Sequence, residues 1–232
     1  MESLFIYGAG GHGRVILDTL NHGKTCYRVA TLVDDDPTLH GETRLGQVIR
    51  DPASIHGERG FVAIGDNDAR LRISDRYRGR LVSVVHETAY LAEEVALGEG
   101  SVLMAATVVA IGSRIGAGVI INTGSTIDHD CRIGDGAHVA PGCHLCGQVD
   151  VGTGAFLGVG TLVVPGVRIG RHAFISAGQI VTRDVPDGAR IRLNQGGPSE
   201  NAPAGSAPDR RLFHPAAAPP HAGAFPHPPS PD

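Results

Sequence analysis

From Leu91 onward, every sixth residue is aliphatic: Leu91, Leu97, Leu103, Val109, Ile115, Ile121, Ile127, Ile133, Val139, Leu145, Val151, Leu157, Val163, Ile169, Ile175 and Val181. The series runs without a phase slip, and Val85 extends it one step back. A β-sandwich strand alternates with period two between turns of variable length, so it cannot generate this pattern. A strict period of six predicts a β-helix in which each hexad is one short strand and a bend, and three hexads close a triangular coil. The aliphatic side chain points to the axis and stacks on its equivalents in the coils above and below, with coils ~4.8 Å apart. Four residues after each aliphatic position stands a mostly small residue: Ser101, Thr107, Ser113, Ser125, Cys131, Ala137, Cys143, Ala155, Thr161 and Ala173. Small size there avoids crowding near the bend. The composition agrees with such a core: 33 Gly, 4% aromatic residues and no Trp leave Val, Ile, Leu and Ala to build it.

The segment before the repeat has a different rhythm. Leu4-Phe5-Ile6-Tyr7 reads as a buried strand, Gly8-Ala9-Gly10-Gly11-His12-Gly13 as a turn, and Arg14 to Asn21 as a helix. Tyr27 to Val33 is a second strand running into Asp34-Asp35. Phe61 to Ile64 is a third, followed by Gly65-Asp66-Asn67 and a helix from Asp68 to Arg78, and Arg80 to Val85 is a fourth. Strands alternating with helices predict a small Rossmann-like parallel α/β sheet over residues 1–84, ahead of a β-helix over 85–187. After Asp187 the chain collects ten of its 15 Pro among Ala, Gly, Ser and His, so 188–232 is expected to be a disordered tail. His214, His221 and His227 within it read as solvated.

Several classes are disfavoured at this stage. A net charge of −4 argues against nucleic acid as a partner. No apolar run approaches the ~18 residues of a membrane span, and Met1 to Gly8 leads directly into a strand rather than a signal peptide. A cytoplasmic protein with no membrane insertion is the expectation. Cys143 and Cys146 have the spacing of a metal or redox pair, but Cys143 occupies a small-residue hexad position and no second pair exists, so both are read as structural. His144 and His172 are read as surface residues. A carbonic-anhydrase-like zinc site on the same β-helix would need three converging His.

Gly8-x-Gly10-x-x-Gly13 after a strand and at the start of a helix, with an acid some twenty residues on at Asp34, fits a loop that receives phosphate near a helix N-terminus. About 85 residues supply only half of a dinucleotide fold, and a half-site suits a nucleotide-sugar better than NAD. The chain also carries Ala63-Ile64-Gly65-Asp66-Asn67, Asn122-Thr123-Gly124, Ile127-Asp128-His129-Asp130-Cys131-Arg132-Ile133-Gly134-Asp135 and His138-Val139-Ala140-Pro141-Gly142. With the hexads, these motifs resemble the hexapeptide-repeat nucleotide-sugar acetyltransferases of the bacillosamine, perosamine and sialic acid acetyltransferase group, over about residues 3 to 187.

That resemblance implies a left-handed coil, a homotrimer with sites shared between subunits, acetyl-CoA as co-substrate and no required metal. It implies that Gly10, Gly11, His12, Asp34, Asp35 and Asn67 contact the nucleotide-sugar. It implies that His138, Val159 and Ala177 contact acetyl-CoA, and that His129 with Asp130 is the catalytic pair. Acetyl transfer to an amine needs a base, because an ammonium cannot attack, and a His beside a carboxylate suits that role. Asp128 competes with Asp130 as its partner. The family's usual basic closing segment is altered here to Ala189-Arg190-Ile191-Arg192, so the grip on the nucleotide end of CoA rests on other groups, with Arg190 and Arg192 as candidates.

Overall fold

The computed structural model describes residues 2–24, 27–44 and 46–192. Nearly all of the Pro-rich tail lies outside them. The N-terminal unit runs β1 (Glu2–Tyr7), α1 (Gly11–Asn21), β2 (Tyr27–Val33), β3 (Thr43–Arg44), β4 (Gln47–Arg50), β5 (Arg59–Val62) and α2 (Asn67–Arg76). Its sheet has the order β3-β4-β2-β1-β5. The parallel α/β sheet expected from the sequence is therefore mixed: β3 pairs antiparallel with β4, with Arg44 opposite Gln47. Gly46, at φ 78, permits that tight reversal. Only Ile49 of β4 is buried, which is why its weak apolar pattern did not announce a strand. The segment Arg80 to Val85 is also not a fourth strand of this sheet. Leu81 makes one bridge to Gly60, and Val84–Val85 then pairs with Val102–Leu103 in the repeat. The chain leaves one sheet and enters the next within four residues.

The repeat region is a parallel β-solenoid with three faces. The first sheet stacks Val84–Val85, Val102–Leu103, Ile120–Ile121, His138–Val139, Phe156–Leu157, Phe174–Ile175 and Arg190–Ile191. The second runs from Tyr90–Leu91 to Ile180–Val181 and the third from Ala96–Leu97 to Arg168–Ile169. Each strand pairs with the one a full coil later: Val109 with Ile127, Ile115 with Ile133, Ile121 with Val139. The last coil is shorter, since Phe174 pairs with Arg190, and it carries the solenoid past Asp187. The aliphatic hexad residues form one continuous core. The small residues four positions later do more than avoid crowding. Ser101, Ser113 and Ser125 are fully buried, and each hydroxyl donates to a carbonyl of the next coil (Gly116, Asp128 and Ala140, at 2.7–2.8 Å). The same oxygens accept from the N–H of Val119, Cys131 and Cys143. Backbone polar groups inside the bends are thereby satisfied, as burial requires.

The N-terminal unit packs on the first sheet. Leu4, Ile6, Ile16 and Leu20 share a core with Val82, Val84, Val102, Met104 and Ile120. One charged side chain crosses this junction. Arg70 of α2 is 1% exposed; its Nε donates to Gly118 O at 2.7 Å, and its terminal nitrogens donate to Ile64 O, Gly65 O, Gly136 O and Asn67 Oδ1. A buried guanidinium tolerates such a place only when its donors are met.

Candidate active site

The sequence-derived residues fall into three separate places. The first is the junction. β1 delivers the chain into Gly8, whose φ of 110 and close approach to Ala63 O leave no room for a Cβ. Gly13 is equally tight against Gly8 O, so the helix starts inside the turn, at Gly11. Gly10 and Gly11, by contrast, face open space: a Cβ there would meet nothing within 4 Å. The loop opens onto a cavity of about 310 Å³ lined by Tyr7, His12, Asp34, Asp35 and Ile64 among others. Asp34 accepts from Ala9 N at 2.7 Å and fixes the loop, while Asp35 accepts from the Tyr7 hydroxyl at 2.5 Å. Burial, then that hydrogen bond and the Asp35 charge, push the Tyr7 phenol well up.

His12 and His138 approach each other across the junction. Burial, reinforced by the Arg70 charge, lowers His12 to about 4. Burial, Arg70 and His12 together lower His138 to about 3. Both are neutral imidazoles at any physiological pH. His138 Nε2 lies 3.3 Å from Asn122 Nδ2, and its ring meets Phe156 edge-on at 5.1 Å. His12 Nε2 and His138 Nδ1 are buried with no hydrogen-bond partner among the described residues. Asn67, expected to contact substrate, borders a cavity with Asp66 and His172 and is also held by the protein itself. Its Nδ2 donates to Gly154 O and Ala155 O at 3.0 and 3.1 Å, and its Oδ1 accepts from Arg70. Its polar atoms dock α2 onto the solenoid.

The second place is the bend between the second and third sheets, after Thr126–Ile127 and before Arg132–Ile133. Here His129 Nδ1 lies 2.8 Å from Asp130 Oδ2, with the two side chains 51% and 59% exposed. Asp128 turns its carboxylate onto the backbone N–H of His129 instead, at 2.8 Å. The geometry thus distinguishes the two acids. The hydrogen bond to Asp130, aided by the charges of Asp128 and Asp130, raises His129 above the ordinary imidazole value. The bend is cut to admit this pair. A Cβ on Gly147, one coil on, would sit 2.5 Å from His129 Nε2, and one on Gly112, one coil back, would sit 2.3 Å from Asp130 Oδ1. Asp130 takes φ 59 at a bend position held by Gly112 one coil back and by Gln148, at φ 63, one coil on.

Val159 and Ala177 occupy a third location, the bend between the first and second sheets, in consecutive coils; Gly178 N donates to Val159 O at 2.8 Å. Both are exposed. The second sheet separates them from His129 within one chain. Cys131 and Cys143 are buried thiols pushed up by burial, and Cys146 is exposed; all three are free. Among the described residues, no three or more His, Cys, Asp or Glu side chains gather as a metal site would require. His144 is exposed, its Nδ1 2.9 Å from Thr126 Oγ1. His172 is 54% exposed, 3.3 Å from Asp68, and borders a cavity with Phe156, Phe174 and Arg190. Sequence reasoning gave no role to Arg70, Gly112 or Gly147. The glycine rule could have found the last two, since each lies one coil from the His-Asp pair.

A three-sided solenoid of hexads with an α/β unit on one face and a His–Asp pair at a bend defines a hexapeptide-repeat acyltransferase fold. The PglD N-terminal domain model matches residues 3–77, and the bacterial transferase hexapeptide model (six repeats) matches residues 112–147. Perosamine N-acetyltransferase from Caulobacter crescentus, solved with CoA and GDP-perosamine, is 40% identical, with a TM-score of 0.75, over 82% of this chain and 93% of that one. The acetyltransferase domain of PglB from Neisseria gonorrhoeae, solved with acetyl coenzyme A, is 30% identical over 82% and 95% of the two chains, with a TM-score of 0.75. UDP-N-acetylbacillosamine N-acetyltransferase of Bacillus subtilis is 33% identical over 120 residues, 45% of this chain, and the match spans about half (52%) of that enzyme. The chain belongs to the PglD-type hexapeptide-repeat sugar N-acetyltransferases. None of its described helices is long and apolar enough to cross a membrane.

Proposed function

We propose that the protein transfers the acetyl group of acetyl-CoA to the amino group of a nucleotide-linked amino sugar, with His129 as general base. The observation that carries this reading is the 2.8 Å contact between His129 Nδ1 and Asp130. It favours the tautomer in which Nδ1 keeps its proton and donates it to the Asp130 carboxylate, leaving Nε2 basic beside Gly147. Nε2 takes a proton from the attacking amine. The amine nitrogen bonds to the thioester carbonyl carbon, and the tetrahedral adduct collapses with loss of the CoA thiolate. The proton held by His129 then goes to that sulfur. Amine and acetyl-CoA become amide and CoA, with no acyl-enzyme. An imidazole with raised basicity suits this task.

The nucleotide-sugar occupies the cavity at Gly10, Gly11 and His12, with its diphosphate at the start of α1, where no acidic residue stands in the first turn. Asp34 and Asp35 border its nucleoside end. Acetyl-CoA lies along the edge marked by His138, Val159 and Ala177. Since the second sheet separates that edge from His129, a complete site combines the edge of one subunit with the His129 bend of another. The second sheet's outward positions support such assembly: Tyr90, Val108, Leu162 and Ile180 are exposed apolar side chains on one face, which monomers rarely leave bare. A homotrimer satisfies both. The test is thiol release from acetyl-CoA with a panel of nucleotide-linked amino sugars. Turnover that requires both the amine and His129 supports the reading, and turnover unaffected by His129→Ala overturns it.

A further inference from the structure

The three faces of the solenoid present different chemistries outward. On the first sheet, Val84, Val102 and Ile120 are covered by the N-terminal unit, and on the second sheet the outward residues are mostly apolar. On the third sheet, the paired column reads Ala96, Arg114, Arg132, Asp150, Arg168. Arg114, Arg132 and Arg168, with Arg171, line a groove of about 360 Å³ in which Asp150 is the single acid. None of the four guanidinium groups lies within ion-pair distance of a carboxylate among the described residues. The nearby acids are turned elsewhere: Asp184 accepts from the backbone N–H of Arg168 and Asp187 from that of Arg171, both at 2.8 Å. Four unpaired arginines in one groove, on a chain of net charge −4, concentrate positive potential against the sign of the whole molecule. Such an arrangement destabilises itself unless an anion answers it, and planar guanidinium forks suit phosphate oxygens. The groove also begins beside the reacting centre, because Arg132 is three residues from His129 and shares its coil.

We propose that this groove on the third sheet is a phosphate-binding site for an organic diphosphate, a reading that rests on the acetyl transfer proposed above. Both substrates of that reaction carry a diphosphate, and acetyl-CoA adds a 3′-phosphate. Successive coils ~4.8 Å apart set Arg132 and Arg168 ~10 Å from one another along the groove, a spacing that two phosphate groups of one ligand can bridge.

The test is calorimetric titration of the full-length protein with CoA, 3′-dephospho-CoA, GDP and UDP. It compares wild type with Arg132→Gln/Arg168→Gln and with Asp150→Asn, and size-exclusion elution and a thermal melt report assembly and folding. The double variant is expected to lose tenfold or more in affinity. A loss confined to CoA, and smaller for 3′-dephospho-CoA, assigns the groove to the cofactor. A loss confined to GDP or UDP assigns it to the nucleotide-sugar and overturns the placement of that diphosphate at the start of α1. Asp150→Asn, which removes the one opposing charge, is expected to tighten the same ligand two- to fivefold, an outcome that misfolding does not produce. Unchanged affinities in both variants, with wild type binding normally, overturn the groove assignment and leave the acetyl transfer standing. If wild type binds none of the four probes, both fail.

Discussion

His129 and His138 lie on one solenoid, half a coil apart, and their surroundings drive them in opposite directions. At the bend, His129 is exposed, bonded to one carboxylate and close to a second, and its imidazolium is stabilised. At the junction, burial and the nearby Arg70 charge hold both His138 and His12 far below the ordinary value, at about 3 and about 4. The proposed reaction uses that difference: His129, with raised basicity, takes the proton, and His12 and His138, held neutral, face the substrates. Environments that push like groups apart are how one fold separates the proton-transfer role from the binding role.

The comparison breaks most directly at the base. His129→Ala is expected to lower kcat by roughly 10²–10⁴, the usual contribution of a general base, with KM for acetyl-CoA nearly unchanged. His138→Ala is expected to act mainly on substrate KM. If steady-state kinetics show His138→Ala abolishing kcat while His129→Ala remains active, the two roles are exchanged.

A smaller effect is expected from Gly147→Ala. Its backbone φ is ordinary, so the fold accepts the methyl group, but the new Cβ would lie 2.5 Å from His129 Nε2 and must displace the ring. A misplacement of about 1 Å costs up to roughly 10²-fold in rate. We expect a ten- to hundredfold loss of kcat at an unchanged melting temperature. Gly11→Ala, where nothing lies within 4 Å, leaves kcat alone and raises KM for the nucleotide-sugar only. Equal kinetic effects of the two substitutions would show that the two places are not functionally distinct.

Asp130→Asn removes the group that most raises His129. The histidine pKa then falls, so the acidic limb of the kcat/KM–pH profile moves to lower pH, while kcat at the plateau falls less than in His129→Ala. Asp128→Asn, whose amide oxygen can still accept from the His129 N–H and which removes only a charge, moves the limb less. A larger shift for Asp128→Asn than for Asp130→Asn contradicts the geometry.

The solenoid was legible because its information is local and redundant. Each hexad repeats one demand, so Ile133 or Val151 is placed by phase alone. The His-Asp pair was legible as a motif, but the choice between Asp128 and Asp130 depended on which carboxylate turns toward the ring, and nothing in the sequence sets that. Arg70 was not legible at all. It reads as one more charged residue on a helix rich in them, and its partners at Gly118 and Gly136 are carbonyls, which leave no trace in side-chain patterns. The contacts of Asn67 with Gly154 O and Ala155 O were illegible for the same reason. The segment Arg80 to Val85 looked like a strand and is one in part, but the sheet it joins is settled by Val82 and Val84 packing between both units.

The smallest effect is on stability, and it tests the junction without any substrate. His12 and His138 have folded-state values depressed below the unfolded value of 6.5. Above pH 6.5 neither state holds the proton, and their neutral burial is undisturbed. As pH falls below 6.5 the unfolded chain takes up protons that the folded one refuses, so stability declines until the folded values near 3 and 4 are reached. Between pH 7.5 and 5.5 ordinary carboxylates contribute little, and each histidine removes about 1 kcal/mol, which is about 2–4 °C in melting temperature for a chain of this size. His129 acts oppositely over the same range, since its raised value means the folded state binds the proton first. His138→Asn and His12→Asn are each expected to shrink the acid-induced drop in melting temperature, and His129→Asn to enlarge it slightly. Thermal melts of the ligand-free protein at the two pH values decide it. A drop that all three substitutions leave unchanged would mean that the junction is wet, and that the opposition between these histidines does not exist in solution.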